Sequence, residues 1–143
     1  MLKPFPLQGL HLFGGGLVCA AALLASGCAG QRPVAEALMA PAPGGAVTGR
    51  AIFVEQGAGV GLTAHVAGLA PGVHSLGLGG QGGCETSGAT APRELARAET
   101  DAWGNAGFTA VLRGLTFAEI VGRPVAVHAA TRERLACGVI IKR

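Results

Sequence analysis

The chain has 143 residues, of which 25 are glycine, while aromatic residues make up 4% and charged residues 13%. This composition excludes a disordered acidic or basic tail, because disorder of that kind requires high charge and little hydrophobicity. The formal net charge is only +3 and no cluster of Lys and Arg is present, so we expect no nucleic-acid partner.

Residues 1–27 have the pattern of a secretory signal peptide. Lys3 precedes an apolar stretch over 10–25, and small residues lead from there to Cys28. The stretch is shorter than the ~18 residues of a spanning helix, and a retained membrane anchor is the alternative. The exit, Leu24-Ala-Ser-Gly-Cys28, resembles a bacterial lipobox, whose cysteine becomes the lipidated first residue of the mature chain. We predict a signal peptide over 1–27, lipidated Cys28 and a tether over 28–33, and a β domain over 34–143.

The resemblance to a lipobox also implies a location. A lipidated Cys28 would hold the domain on a membrane at the periplasmic face of a bacterial envelope. The residue after it is Ala29, and no aspartate stands there to retain the protein in the inner membrane. The outer membrane is therefore the expected site of the anchor.

Two cysteines remain for the mature domain. Of the four, Cys19 leaves with the signal peptide and Cys28 carries lipid, which leaves Cys84 and Cys137 in an oxidising compartment. A single disulfide is the natural use of such a pair, and two free buried thiols are the alternative.

From residue 34 onward, short apolar segments alternate with turn residues, which is typical of a β-sandwich or barrel. Residues 93–100 fit a helix turn or a strand equally well by pattern. Counting that segment, about eight strands are predicted, over 34–39, 47–55, 60–69, 73–78, 93–100, 106–112, 125–129 and 135–142.

Four of these segments resemble the copper/zinc superoxide dismutase family. They are Gly68-Leu-Ala-Pro-Gly-Val-His74, the hairpin over 101–108, Gly122-Arg-Pro-Val-Ala-Val-His128 and Arg134-Leu-Ala-Cys-Gly-Val-Ile140. The resemblance implies an all-β fold, an eight-stranded Greek-key β-barrel or sandwich, here with shortened loops. It also implies that Cys84 pairs with Cys137.

The family's metal ligands are mostly missing. The family uses six histidines and an aspartate on copper and zinc, whereas this chain has four histidines, one of them His11 in the predicted signal peptide. Gly77 and Gly79 stand at two copper-ligand positions, and 87–92 has no histidine where the family has the metal-bridging one. Only His128 matches a copper ligand, and Glu94 is an isolated match to the zinc aspartate. We expect neither copper nor zinc as a cofactor.

Arg134 matches the arginine that attracts the superoxide anion beside copper. Without the metal its positive charge attracts anions weakly and supplies no redox step. We interpret it as a solvated arginine near a strand start, with a relic anion contact as the alternative.

These observations favour a non-catalytic, superoxide dismutase-like envelope lipoprotein with a binding or structural role. Two alternatives stay open. One is an active or residual dismutase, which converts superoxide to oxygen and hydrogen peroxide. The other is a weak copper-binding protein that uses His128 with His74. The membrane is the expected partner, and the sequence leaves open whether a second copy or another envelope protein also binds.

Overall fold

The computed structural model describes residues 30–85 and 92–143. The predicted signal peptide, the predicted lipidation site Cys28 and most of the 87–92 segment lie outside the described residues. No helix in the described part is long and apolar enough to cross a membrane.

Nine strands and one short helix make up the described chain. In chain order they are β1 (Val34–Pro41), β2 (Thr48–Gln56), β3 (Gly59–Ala67), β4 (Val73–Leu78), β5 (Arg93–Glu99), β6 (Ala106–Arg113), α1 (Phe117–Ile120), β7 (Pro124–Ala129), β8 (Arg134–Val139) and β9 (Ile141–Lys142).

The strands form an antiparallel sheet in the order β5-β4-β7-β8-β1-β2-β3-β6, with β9 paired to β1. The two ends of this order, β5 and β6, are joined by a short hairpin and lie side by side, so the sheet curls into a nearly closed barrel. Strands β7, β4, β5 and β6 follow one another in the 4-1-2-3 order of a Greek key. The predicted all-β, eight-stranded barrel is confirmed.

The barrel interior is built by simple alternation along the strands. In β3, Val60, Leu62, Ala64 and Val66 are buried, while Thr63 and His65 between them are exposed. This is the period-two pattern of a strand with one face on a core. Phe53 of β2 and Phe108 of β6 are fully buried inside, and burying each stabilises the fold by roughly 1.5–3 kcal/mol. The core residues that the structure describes lie between Ala35 and Ile140.

The structure differs from the predicted elements at two places. The predicted single strand over 135–142 is wrong, because Ile140 leaves the ladder: its N–H donates to the Arg123 carbonyl, and its own carbonyl accepts from Gly122. This interruption separates β8 from β9. The one-turn helix α1 was not predicted; Thr116 caps it in a reciprocal box with Glu119, and Phe117 and Ile120 are buried against the barrel. The segment that fitted helix or strand is the strand β5.

The predicted cysteine pair forms a disulfide. Cys84 lies in the connection after β4 and Cys137 in β8, and their Cα atoms are 5.9 Å apart. The bond ties the glycine-rich connection to a strand 53 residues further along the chain.

Candidate functional site

Gly77 and His128, two of the residues at copper-ligand positions of the resembled family, line one groove on the outer face of the barrel. The groove has a volume of about 540 Å³ and lies across β4, β5 and β7. We call it the His128 groove; its lining includes Val73, Ser75, Gly77, Pro92, Glu94, Arg97, His128 and Arg132.

His128 is brought into the groove by the strand register. It is the neighbour of Ser75 across β4–β7 and of Arg134 across β7–β8, where the register shifts between Val127 and His128. The side chain of Val127 is fully buried, so the alternation turns the half-buried imidazole of His128 outwards.

The two copper-ligand positions that hold glycine differ in the space around them. A Cβ on Gly77 would lie 3.4 Å from His128 Cε1 and 3.0 Å from Pro92 Cβ. Position 77 therefore faces His128 directly, and Pro92 occupies part of the space between. A Cβ on Gly79 would lie only 2.7 Å from Pro124 Cγ. Position 79 is therefore closed to larger side chains unless the backbone shifts.

His74 also lines the groove, although little of it is exposed there. Its side chain is only 5% exposed, and its Nδ1 lies 3.2 Å from the carbonyl oxygen of Gly72. A ring nitrogen in such a contact orients the loop before β4. His65 lies on β3, where its register partners are Arg50 and Gly107, and it does not line the groove.

Glu94 lines the groove opposite Gly77, at a bulge in the β4–β5 ladder. Its Oε1 accepts a hydrogen bond from Nε of Arg97 at 2.7 Å, which raises the pKa of that guanidinium above its ordinary value. The negative charge of Glu94 is therefore paired with the positive charge of Arg97. The sequence alone did not predict that Arg97 and Pro92 line the groove, because the pairing of β5 with β4 places them there.

Arg134 is exposed at the start of β8, as expected, but it is not simply solvated. Its Nη1 donates a hydrogen bond of 2.8 Å to the carbonyl oxygen of Cys84. The guanidinium therefore holds the backbone of the disulfide-bonded connection. The interpretation as a free solvated arginine needs this correction.

The electrostatics of the groove keep His128 uncharged. Partial burial lowers the pKa of His128 below its ordinary value, and the positive charge of Arg134 lowers it further, against a smaller opposing effect of the Ala126 backbone. At neutral pH the imidazole is neutral and can donate a lone pair, which is the form that binds metals.

The donor set does not fit the copper and zinc of the resembled family. Among residues 30–85 and 92–143, no group of three His, Cys, Asp or Glu side chains could hold a metal ion. The groove itself offers one accessible imidazole, that of His128, and one carboxylate, Glu94, which is already paired. Redox copper sites hold two or more imidazoles in fixed geometry.

Comparison with known proteins adds no further constraint. No family model matches the chain. No curated protein matches it either.

Proposed function

We propose that this protein is a non-catalytic, superoxide dismutase-like barrel on an envelope lipoprotein, with a binding or structural role. The observation that carries the proposal is the contact between position 77 and His128. The barrel keeps the place where a second imidazole would meet His128, and that place holds a glycine packed against Pro92.

The positions of the segments that resemble the superoxide dismutase family support the proposed relationship to that family. The strands that contain them, β4, β7 and β8, are direct neighbours in the sheet although they are far apart in sequence. The segment ending at His74 enters β4, the segment ending at His128 forms β7, and Arg134–Ile140 forms β8 and its exit. A resemblance due to chance would not be expected to fall on three adjacent strands of the predicted barrel type.

The donor count supports the absence of catalysis. Dismutation requires a copper that stays bound in two oxidation states, and a single imidazole with water ligands binds copper weakly. His74 does not supply the missing donor, because its ring is buried and lies against the Gly72 carbonyl. The structural role follows from what remains, a disulfide-bonded barrel with a compact core.

Copper titration separates this proposal from the weak copper-binding alternative. We expect the wild-type barrel, His128→Ala and His74→Ala to bind copper(II) equally weakly in isothermal titration. Saturable one-to-one binding that both substitutions abolish would show a His128–His74 copper site and contradict the proposal.

The lipid anchor at Cys28 is tested separately. We expect mass spectrometry of the mature N-terminal peptide to begin at Cys28 and to carry acyl chains, since several chains together give stable membrane attachment. Cys28→Ser should release the protein from membranes that are washed at high salt. An unmodified Cys28 with cleavage at another site would contradict the anchor.

A further inference from the structure

The charges of the barrel are distributed unevenly between its two ends. We call the entry end the one where β1 and β7 begin and where β6 and β9 end, near Val34, Pro124, Arg113 and Lys142. The far end carries the β5–β6 hairpin with Trp103, and the His128 groove runs from this end along β4 and β5. The β3–β4 connection joins the hairpin there, since Leu69 N–H donates to the Gly104 carbonyl.

The entry end is cationic and the far end is not. Six cations and four acids lie toward the entry end: Arg32, Arg93, Arg113, Arg123, Lys142 and Arg143, with Glu36, Glu55, Glu94 and Glu119. The rest of the described chain holds four cations and four acids: Arg50, Arg97, Arg132 and Arg134, with Glu85, Glu99, Asp101 and Glu133. The formal charge at pH 7 is therefore +2 toward the entry end and zero over the remainder.

The acids at the entry end are largely engaged within the barrel. Glu36 is buried between Arg50 and Arg143, and Glu119 accepts hydrogen bonds from the backbone N–H and hydroxyl of Thr116. By contrast, the exposed side chains of Arg113 and Lys142 make no ion pair with any described acid. Their charges are free to meet an external anion.

The proposed anchor brings this end to a membrane. Cys28 precedes Val34 by six residues, which can span at most about 20 Å even when fully extended. That reach limits how far the entry end can stand from a bilayer. The far end, with Trp103, then points away from the lipid.

We propose that the entry end is a docking face for an anionic phospholipid surface, with the headgroup phosphates as the groups that Arg113, Lys142 and their neighbours meet. The orientation rests on the proposed anchor at Cys28, whereas the lipid affinity of the entry end does not depend on acylation. Each cation close to an anionic membrane contributes about a fivefold increase in affinity, which is about 1 kcal/mol. The attraction weakens as salt shortens the screening distance.

The test uses the unacylated barrel, residues 30–143, which contains every core residue that the structure describes, and circular dichroism first checks that it is folded. It is mixed with vesicles of phosphatidylcholine alone or with 40% phosphatidylglycerol, and bound protein is measured by co-sedimentation. We expect binding to the anionic vesicles only, and loss of that binding at high salt. Arg113→Glu with Lys142→Glu should weaken it by about thirtyfold or more, which is about 2 kcal/mol.

The matched control reverses two charges elsewhere on the barrel. Arg97→Glu with Arg132→Glu changes the net charge equally but leaves the entry end intact, and it should change binding much less. Circular dichroism of each variant checks that the barrel is folded. Equal loss in both double variants, or equal binding to neutral vesicles, would overturn the proposal.

The single tryptophan of the chain reports the orientation. Trp103 is 83% exposed at the far end, so its emission should stay unshifted on vesicle binding and should resist quenching by brominated lipids. A blue shift with strong quenching would mean that the far end meets the membrane, which contradicts the docking face. Because acylation is read by mass spectrometry of Cys28, failure of the anchor and failure of the docking face are distinguishable.

Discussion

Gly77 and His128 are diagonal neighbours across the β4–β7 ladder, and a Cβ on Gly77 would lie 3.4 Å from Cε1 of the imidazole. The barrel therefore retains the geometry of two facing side chains while the chain supplies only one of them. Position 79 is different, because Pro124 already fills the space that its side chain would need. The two glycines of the candidate site are thus unequal, and substitution should separate them.

Gly77→His should fold, because the nearest atom to its Cβ, Pro92 Cβ, would lie at 3.0 Å, whereas at position 79 the nearest atom would lie at 2.7 Å. Two imidazoles would then face one groove, and copper(II) affinity in titration should rise by about tenfold or more, the scale on which ligand contacts tune metal sites. Gly79→His should instead lower the free energy of unfolding by about 1–3 kcal/mol through overpacking against Pro124. An unchanged copper affinity in folded Gly77→His would contradict the facing geometry.

His128 should titrate below the ordinary histidine value of about 6.5. Because the unfolded chain then binds the proton more tightly, the stabilisation from neutral His128 is complete above that value. It is lost as the pH falls through the folded pKa. The stability of the wild type should therefore drop more than that of His128→Gln between pH 7.5 and acidic pH in denaturant unfolding.

Arg134 contributes to the lowered pKa of His128, so removing its charge should raise that pKa. Arg134→Gln should move the NMR titration of the His128 ring upwards, while Arg113→Gln, at the entry end, serves as the matched control and should not. A pKa of His128 that is unchanged in Arg134→Gln would contradict the electrostatic coupling.

The Cys84–Cys137 disulfide should stabilise the barrel mainly by limiting the unfolded chain. Its 53-residue separation corresponds to about 4 kcal/mol in the chain-entropy model. We expect Cys137→Ser to lower the free energy of unfolding by about 2–5 kcal/mol, and the double variant Cys84→Ala/Cys137→Ala to match the reduced wild type. Ready alkylation of both thiols in the folded, unreduced protein would show that the bond is absent.

Glu36 should make the barrel sensitive to acid. Burial alone would raise the pKa of Glu36, but hydrogen bonds and charges from Arg143 and Arg50 outweigh it and hold the pKa below its ordinary value. The stabilisation is present above the unfolded value of about 4.3 and is lost as the pH falls through the folded pKa. Glu36→Gln should be less stable at neutral pH and should lose part of the acid sensitivity, whereas exposed Glu55→Gln should do neither.

Strands with strict alternation could be predicted from sequence, and elements that depend on distant partners could not. The pattern of β3 is set by its own residues, because Leu62, Ala64 and Val66 all face the core. The break at Ile140 depends on hydrogen bonds with Gly122 and Arg123, which no local pattern contains. The helix α1 had a local signal, the pair Thr116 and Glu119 at capping-box spacing, but its apolar run is too short to show periodicity.

The missing metal ligands of the candidate site could be predicted from the sequence, whereas the contacts between its side chains could not. The glycines at 77 and 79 follow from aligning one segment with the resembled family. The ion pair of Glu94 with Arg97 at the groove requires the bulged register of β5 on β4. The contact from Arg134 to the Cys84 carbonyl joins residues 50 positions apart, which only the folded barrel brings together.

Metal content and dismutase activity of the mature protein test the central proposal most directly. The protein should be purified in detergent, incubated with copper and zinc, dialysed, and then measured for metal by mass spectrometry and for superoxide loss. Because the His128 groove offers one accessible imidazole, we expect no stoichiometric copper or zinc and a rate no better than buffer. Gly77→His should bind copper more tightly but gain no activity, because the metal-bridging histidine of the resembled family is still missing from the sequence. One copper per chain with cyanide-sensitive acceleration of superoxide loss would contradict the proposal.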